Sequence, residues 1–153
     1  MTFRRILFPT DFSPLAKEAA RVAAEMSRTF KAPLTALHVV HFPGIVLPDG
    51  AIFAGPEVVA DIMGKVEGAL AVAKEELIAA GGLEVTTRSE QGVPFVEIVR
   101  TAREGQFDLI VIGTHGRTGI RHVLIGSTSE RVVRKAPCAV MVVRHLDHKF
   151  EPP

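Results

Sequence analysis

Tryptophan and tyrosine are absent from this 153-residue chain, and it has a single cysteine, Cys138. Without an indole or phenol ring it lacks the usual stacking partner of a flavin, which argues against a flavodoxin-like carrier. One thiol forms no intrachain disulfide, so Cys138, at the start of an apolar run, reads as a reduced side chain in a cytoplasmic protein. No run of about 18 apolar residues is present to span a bilayer. The apolar segment Ile6 to Phe8 after Arg4 and Arg5 is too short for a secretory signal. An excess of one charge is missing too. Eighteen Lys and Arg against 17 Asp and Glu leave a formal net charge of +1, with no basic block. That removes the electrostatic footprint of a nucleic-acid binder, so an anionic ligand has to be met locally by particular residues.

What the chain has in quantity is apolar residues, 47% of the total with a mean hydropathy of +0.25. With no membrane span, this composition points to strands buried on both faces. The pattern along the chain agrees. Ile6 to Phe8 is a short strand, and Ser13-Pro14 supply an N-cap and a first-turn proline for a helix running to about Thr29. Leu15, Ala19, Val22, Ala23 and Met26 form the apolar stripe of that helix. Leu34 to Val40 is a second strand. Residues 41–56 are rich in Gly and Pro yet apolar (Phe42, Ile45, Val46, Leu47, Ile52, Phe53), and read as a lid or contact loop.

A long helix from Pro56 or Glu57 to Ala80 stops at Gly81-Gly82. Then follow a strand at Val85 to Glu90, a turn at Gly92 to Pro94, a helix at Phe95 to Glu104 and a strand at Leu109 to Ile112. A helix from Ser127 to about Lys135 and a strand at Ala139 to Val143 close the pattern. Strands alternating with helices predict an α/β domain, a parallel sheet with helices on both faces, over residues 1–146, with a tail at 147–153.

Between the fourth strand and its helix lies a glycine-bearing loop, Gly113-Thr114-His115-Gly116 through Gly126-Ser127, with the spacing G-x2-G-x9-G-S. Glycines let backbone N–H groups approach an anion, and the first turn of a helix leaves N–H groups unpaired at the positive end of its dipole. Arg117, Arg121, Ser127, Thr128 and Ser129 add side chains suited to phosphate. The plainer reading is a connection in which Ser127 and Glu130 form a capping box. The two readings are compatible. Asp11, just after the first strand, is placed either to accept hydrogen bonds from a sugar or to support the Ser13 cap.

The loop, the opening ILFPTDFS, LHVV, QGVP and the closing CAVMVVR occur in that order over nearly the whole chain. Together they resemble the universal stress protein family in its ATP-binding branch. The resemblance implies a single-domain, doubly wound, five-stranded parallel sheet of strand order 3-2-1-4-5. Ligands of such sheets bind beyond the carboxyl ends of the strands where the order reverses, here between strands one and four. By position, Pro9, Thr10 and Asp11 would lie against the nucleoside, and Val39 would offer a backbone group to adenine. Gly113, Gly116, Gly126, Ser127 and Thr128 would meet the phosphates, with Arg117 adding charge, and Ile112 and Ser129 complete the expected binding residues. The implied ligand is ATP, with Mg2+ or Mn2+ bound through its phosphates, and the implied assembly is a homodimer through strand 139–143.

Catalysis finds little support. The loop lacks the lysine of a G-x4-G-K-[S/T] phosphate loop, and no nucleophile stands beside a base. His38-x-x-His41 and His145-x-x-His148 have no Cys or carboxylate at ligand spacing, so no metal site is expected. A response receiver needs paired acids after its first strand, where this chain offers Asp11 alone. The reading is a cytoplasmic regulatory ATP-binding protein with little or no turnover, touching neither nucleic acid nor membrane. The alternative is a nucleotide-independent dimeric interaction protein of the same fold.

Overall fold

The computed structural model describes residues 2–14, 16–41, 45–47, 50–52, 55–114 and 126–144. In chain order its elements are β1 (Ile6–Pro9), α1 (Ala16–Phe30), β2 (Pro33–Val40), β3 (Ile45–Leu47), β4 (Gly50–Ile52) and α2 (Pro56–Ala79). They continue as β5 (Leu83–Gln91), α3 (Pro94–Glu104), β6 (Leu109–Gly113), α4 (Ser127–Lys135) and β7 (Ala139–Val143). Five strands form one sheet in the order β5-β2-β1-β6-β7, every neighbouring pair parallel. Counted along the chain this is 3-2-1-4-5, the order the resemblance implied.

The central strands are buried on both faces, as a parallel sheet requires. Side chains alternate. Ile6, Phe8, Leu34, Ala36, Leu109 and Val111 face α1 and α2, where Ala19, Ala23, Ala24 and Leu77 meet them. Leu7, Leu37, Ile110 and Ile112 face α3 and α4, against Ile98, Ala102 and Val132. The small side chains of α1 let that helix lie close to the sheet. Its start follows the expected chemistry, since the Ser13 hydroxyl accepts from the Ala16 N–H at 3.3 Å. Helix α2 stops where Gly81 takes φ +93°, a backbone conformation that suits glycine.

The segment 41–56, expected to be a loop throughout, contains an antiparallel hairpin. β3 pairs β4 with Ile45 opposite Ile52 and Leu47 opposite Gly50. The apolar residues that looked out of place in a loop include those of two short strands, too brief to show a period of two in the sequence. The hairpin is a sheet of its own. The expected tail at 147–153 and the second histidine pair, His145 and His148, lie outside the described residues.

Cys138 is half-buried, and burial, followed by the nearby Asp108 charge, pushes its thiol pKa up, which disfavours the reactive thiolate. Ser27 carries a tie that no sequence pattern announced. Its hydroxyl is fully buried, donates to the Ala32 carbonyl at 2.6 Å and accepts from the Leu83 N–H at 2.9 Å, joining the end of α1 to the start of β5. Ser27→Ala leaves two backbone groups without this partner. The expected loss is about 1–3 kcal/mol of unfolding free energy, read as a lower urea midpoint at unchanged slope.

Candidate functional site

All five strand ends of a parallel sheet open on one edge, and here the order reverses between β1 and β6. The two strands pair only at their beginnings, Ile6 with Leu109 and Leu7 with Ile110. After Pro9 the chain leaves the sheet. The Thr10 N–H still donates to the Leu37 carbonyl at 2.8 Å, and then the chain turns. Thr10 Oγ1 accepts from the Phe12 N–H at 3.1 Å, and Asp11 Oδ1 accepts from the Ser13 N–H at 3.0 Å. These are local side-chain turns of the kind expected of Thr and Asp. Of the two roles foreseen for Asp11, the turn role is present, with Oδ1 supporting the cap, while Oδ2 is buried with no hydrogen-bond partner among the described residues.

The next residue has φ +61°, a left-handed conformation that costs a side-chain-bearing residue about 1–2 kcal/mol. Contacts across the turn hold it. The Phe12 ring stacks on the His38 ring at 4.4 Å and 25°. His38 is buried, and its Nδ1 lies 2.7 Å from the Thr10 carbonyl oxygen. A carbonyl only accepts, so Nδ1 carries the proton. The sequence reading set His38 aside as an incidental member of a histidine pair. The overlooked signal was a polar ring in line with the inward-facing Leu34 and Ala36 of the same strand.

Val39 stands beside this turn. The Leu37 carbonyl is turned toward β1, taking the Thr10 N–H, and the Val40 carbonyl is turned toward β5, taking the Gly92 N–H at 3.0 Å. By strand alternation the peptide groups of Val39 face the β1 side, where β1 has already ended. Its side chain packs with the α3 and α4 core. Beyond β5, Gly92 has φ +147°, and a Cβ there would meet Glu97 at 2.9 Å. Its carbonyl accepts from His41 Nδ1 at 3.1 Å. An ion network braces this corner, with Arg100 reaching Glu90, Glu97 and Glu104 and Arg88 reaching Glu90. Burial pushes the Glu90 carboxyl up, but the Arg88 hydrogen bond and the two arginine charges outweigh it and hold its pKa below the usual value.

Across the crevice, the ends of the glycine loop are drawn together. Ile112 is buried at the end of β6, and Gly113 is half-buried. The Thr114 carbonyl accepts from the Gly126 N–H at 2.6 Å, and the Ser129 hydroxyl donates to the Gly113 carbonyl at 2.7 Å. Residues 115–125 lie outside the described residues, and with them the expected Gly116 and Arg117, together with His115 and Arg121.

Helix α4 begins at Ser127 with Gly126 as its cap, at φ −65° and ψ 153°. This corrects the expected capping box. The Gly126 carbonyl takes the first helical bond, from the Glu130 N–H at 3.0 Å, so Ser127 is already helical and its side chain makes no cap bond. Glu130 pairs with Arg134 at 2.9 Å instead of reaching back. The first-turn N–H groups of Ser127, Thr128 and Ser129 have no acceptor within the helix and lie at its positive end. The Ser129 hydroxyl is committed to Gly113, so what this residue offers a ligand is its N–H.

Known proteins resemble this chain over most of its length. The sequence model of the universal stress protein family matches residues 2–144. A universal stress protein of Methanocaldococcus jannaschii is 37% identical over 144 residues, covering 93% of this chain and 82% of that protein. The structure of the universal stress protein UspA from Lactobacillus plantarum superposes with a TM-score of 0.79 at 27% identity, covering 94% of this chain and 99% of that one. The structure of the universal stress protein from Archaeoglobus fulgidus in complex with dAMP superposes with a TM-score of 0.66 at 25% identity, covering 93% and 98%.

The pinning of the loop base by Ser129 is open to measurement. Ser129→Ala strips the half-buried Gly113 carbonyl of its donor and is expected to cost about 1–3 kcal/mol, with faster amide exchange at Gly126. Ser127→Ala, at an exposed position without a cap bond, is expected to stay within about 0.5 kcal/mol of the parent in the same denaturation series.

Proposed function

The chain belongs to the universal stress protein family, and from that premise we propose that it binds ATP in the crevice between β1 and β6 as a regulatory ligand. The observation that carries this reading is Asp11 Oδ2, a buried carboxylate oxygen with no donor among the described residues, beside the point where the strand order reverses. A buried acceptor left unpaired is costly, and a ribose hydroxyl supplies the missing proton. The relative crystallised with dAMP supports an adenine nucleotide as the ligand class.

In this reading Asp11 grips the sugar, the Val39 peptide meets adenine, and Pro9, Thr10 and Ile112 form the walls. The phosphates meet Gly113, Gly126 and the first-turn N–H groups of Ser127, Thr128 and Ser129, with Gly116 and Arg117 contributing from the loop. Mg2+ or Mn2+ is carried on the phosphates; among the described residues no cluster of three His, Cys, Asp or Glu side chains is placed to hold a metal ion. Binding itself is the function proposed, with little or no turnover. No helix among the described residues is long and apolar enough to cross a membrane, and the cytoplasm is the proposed location.

Titration calorimetry with ATP and 2′,3′-dideoxy-ATP tests the site. Losing a hydrogen bond to a charged group costs about 1.5–3 kcal/mol, so Asp11→Ala is expected to weaken ATP by about ten-fold or more. The dideoxy analogue is expected to lose less. Equal losses would leave Asp11 a turn residue. Gly126→Val is expected to abolish ATP binding without unfolding the protein, because φ −65° and ψ 153° suit valine while its side chain crowds the phosphate path.

A second element of the proposal is a homodimer through β7. That strand lies at the edge of the sheet, and all five of its apolar residues are only half-buried. Antiparallel pairing with a second copy satisfies its open N–H and C=O groups. Light scattering at tens of micromolar is expected to report a dimer, and Val142→Pro, which removes a backbone donor, a monomer. A dimer that binds no nucleotide would favour the interaction-protein alternative.

A further inference from the structure

The turn that presents Asp11 is shaped locally and positioned from a distance. Its shape comes from two short-range bonds, Phe12 N–H to Thr10 Oγ1 and Ser13 N–H to Asp11 Oδ1. Neither bond fixes where the turn sits relative to the sheet. That is set by β2. Had the β1 ladder continued, the Thr10 carbonyl would have met the Val39 N–H. It meets the His38 imidazole instead, at 2.7 Å, and the same ring backs Phe12 in its left-handed conformation. Asp11 lies between the two residues that His38 touches.

We infer that His38 is a positioning residue for ribose recognition: its Nδ1–H, holding the Thr10 carbonyl while its ring supports Phe12, sets the Asp11 carboxylate for the sugar hydroxyls. This rests on the reading of the crevice as a nucleotide site. A ring that merely filled core space would need no donor. On that row of β2 the neighbouring inward residues are Ala36 and Val40, and an imidazole among apolar neighbours is tolerated because its Nδ1–H is satisfied. The bond it makes is long-range in sequence, from position 38 to position 10, and it lies where β1 leaves the sheet.

Two variants separate the donor from the ring. His38→Phe keeps an aromatic face against Phe12 and removes the donor. His38→Asn removes the ring and places an amide N–H near the Nδ1 position. Calorimetry of each with ATP and 2′,3′-dideoxy-ATP reads the preference for the ribose hydroxyls, expected to be about ten-fold or more in the parent. The expected result is that His38→Phe brings this ratio close to one while the dideoxy affinity stays within about two-fold, and that His38→Asn restores most of the preference. A ratio left at the parent value in His38→Phe overturns the inference. So does an equal loss of both nucleotides, or a failure of asparagine to restore what phenylalanine removes.

If His38→Phe does not fold, the unmodified protein decides through its imidazole 15N spectrum. A protonated Nδ1, assigned by its disappearance in His38→Asn, is expected to exchange more slowly with water when ATP is bound. An unprotonated Nδ1, or exchange indifferent to ATP, overturns the inference. A parent that binds neither nucleotide is a different failure, of the nucleotide reading itself, and takes this inference with it.

Discussion

When β1 leaves the sheet at Pro9, the backbone groups that follow lose their ladder partners, and buried peptide groups without partners are too costly to keep. Much of the crevice is the solution to that problem. The Thr10 N–H keeps one last bond to β2, the Thr10 carbonyl turns to an imidazole, and the N–H groups of Phe12 and Ser13 are caught by the side chains of Thr10 and Asp11. The turn ends in the hydroxyl that starts α1. Thr, Asp and Ser side chains thus take up donors that the ladder no longer serves, and Asp11 Oδ2 is a buried side-chain oxygen left without a donor among the described residues.

The opposite wall obeys the same rule with different means. β6 also stops at the carboxyl edge, and the carbonyls of its last residue, Gly113, and of the following Thr114 are taken by Ser129 and Gly126 from the far side of the loop. An eleven-residue insertion, 115–125, is therefore closed at its base by two short bonds, which also hold the start of α4 at the strand end. The consequence is electrostatic. The first-turn N–H groups of α4, which have no acceptor within the helix, are held beside the end of β6 by the Ser129 bond to Gly113, and the positive end of the helix lies there.

How much of this was legible in the sequence depended on whether the cause was local. Strand and helix positions came through because alternation and apolar stripes are local patterns, and each strand of the main sheet was placed to within about two residues. The serine cap at Ser13 and the stop at Gly81 were legible for the same reason. The strand order came from family resemblance, because parallel pairing joins residues far apart in the chain and leaves little mark on either one. Three features did not come through. The β3–β4 hairpin was hidden by strands of three residues each. The supposed capping box at Ser127 and Glu130 fits the motif in spacing but sits one residue too late, since Gly126 already accepts the first helical bond. His38, Ser27 and Ser129 act through single bonds to distant backbone atoms, and a single long-range bond has no sequence period.

The two proposed functional elements share a peptide unit. The Thr114 N–H, at the mouth of the glycine loop, donates to the Val143 carbonyl at the end of the edge strand β7 at 3.0 Å. On one side of that bond lie the groups that would meet phosphate, and on the other the strand that would pair with a second copy. A phosphate group that draws the Gly113–Thr114 segment toward itself loads a bond whose other end lies in the dimer edge. If binding at one place changes the free energy of the other, thermodynamic linkage makes the effect reciprocal: whatever ATP does to dimer affinity, dimer formation does to ATP affinity by the same factor. With the loop base tied directly to the sheet edge, the Thr114–Val143 bond is the route by which nucleotide occupancy would reach the edge strand.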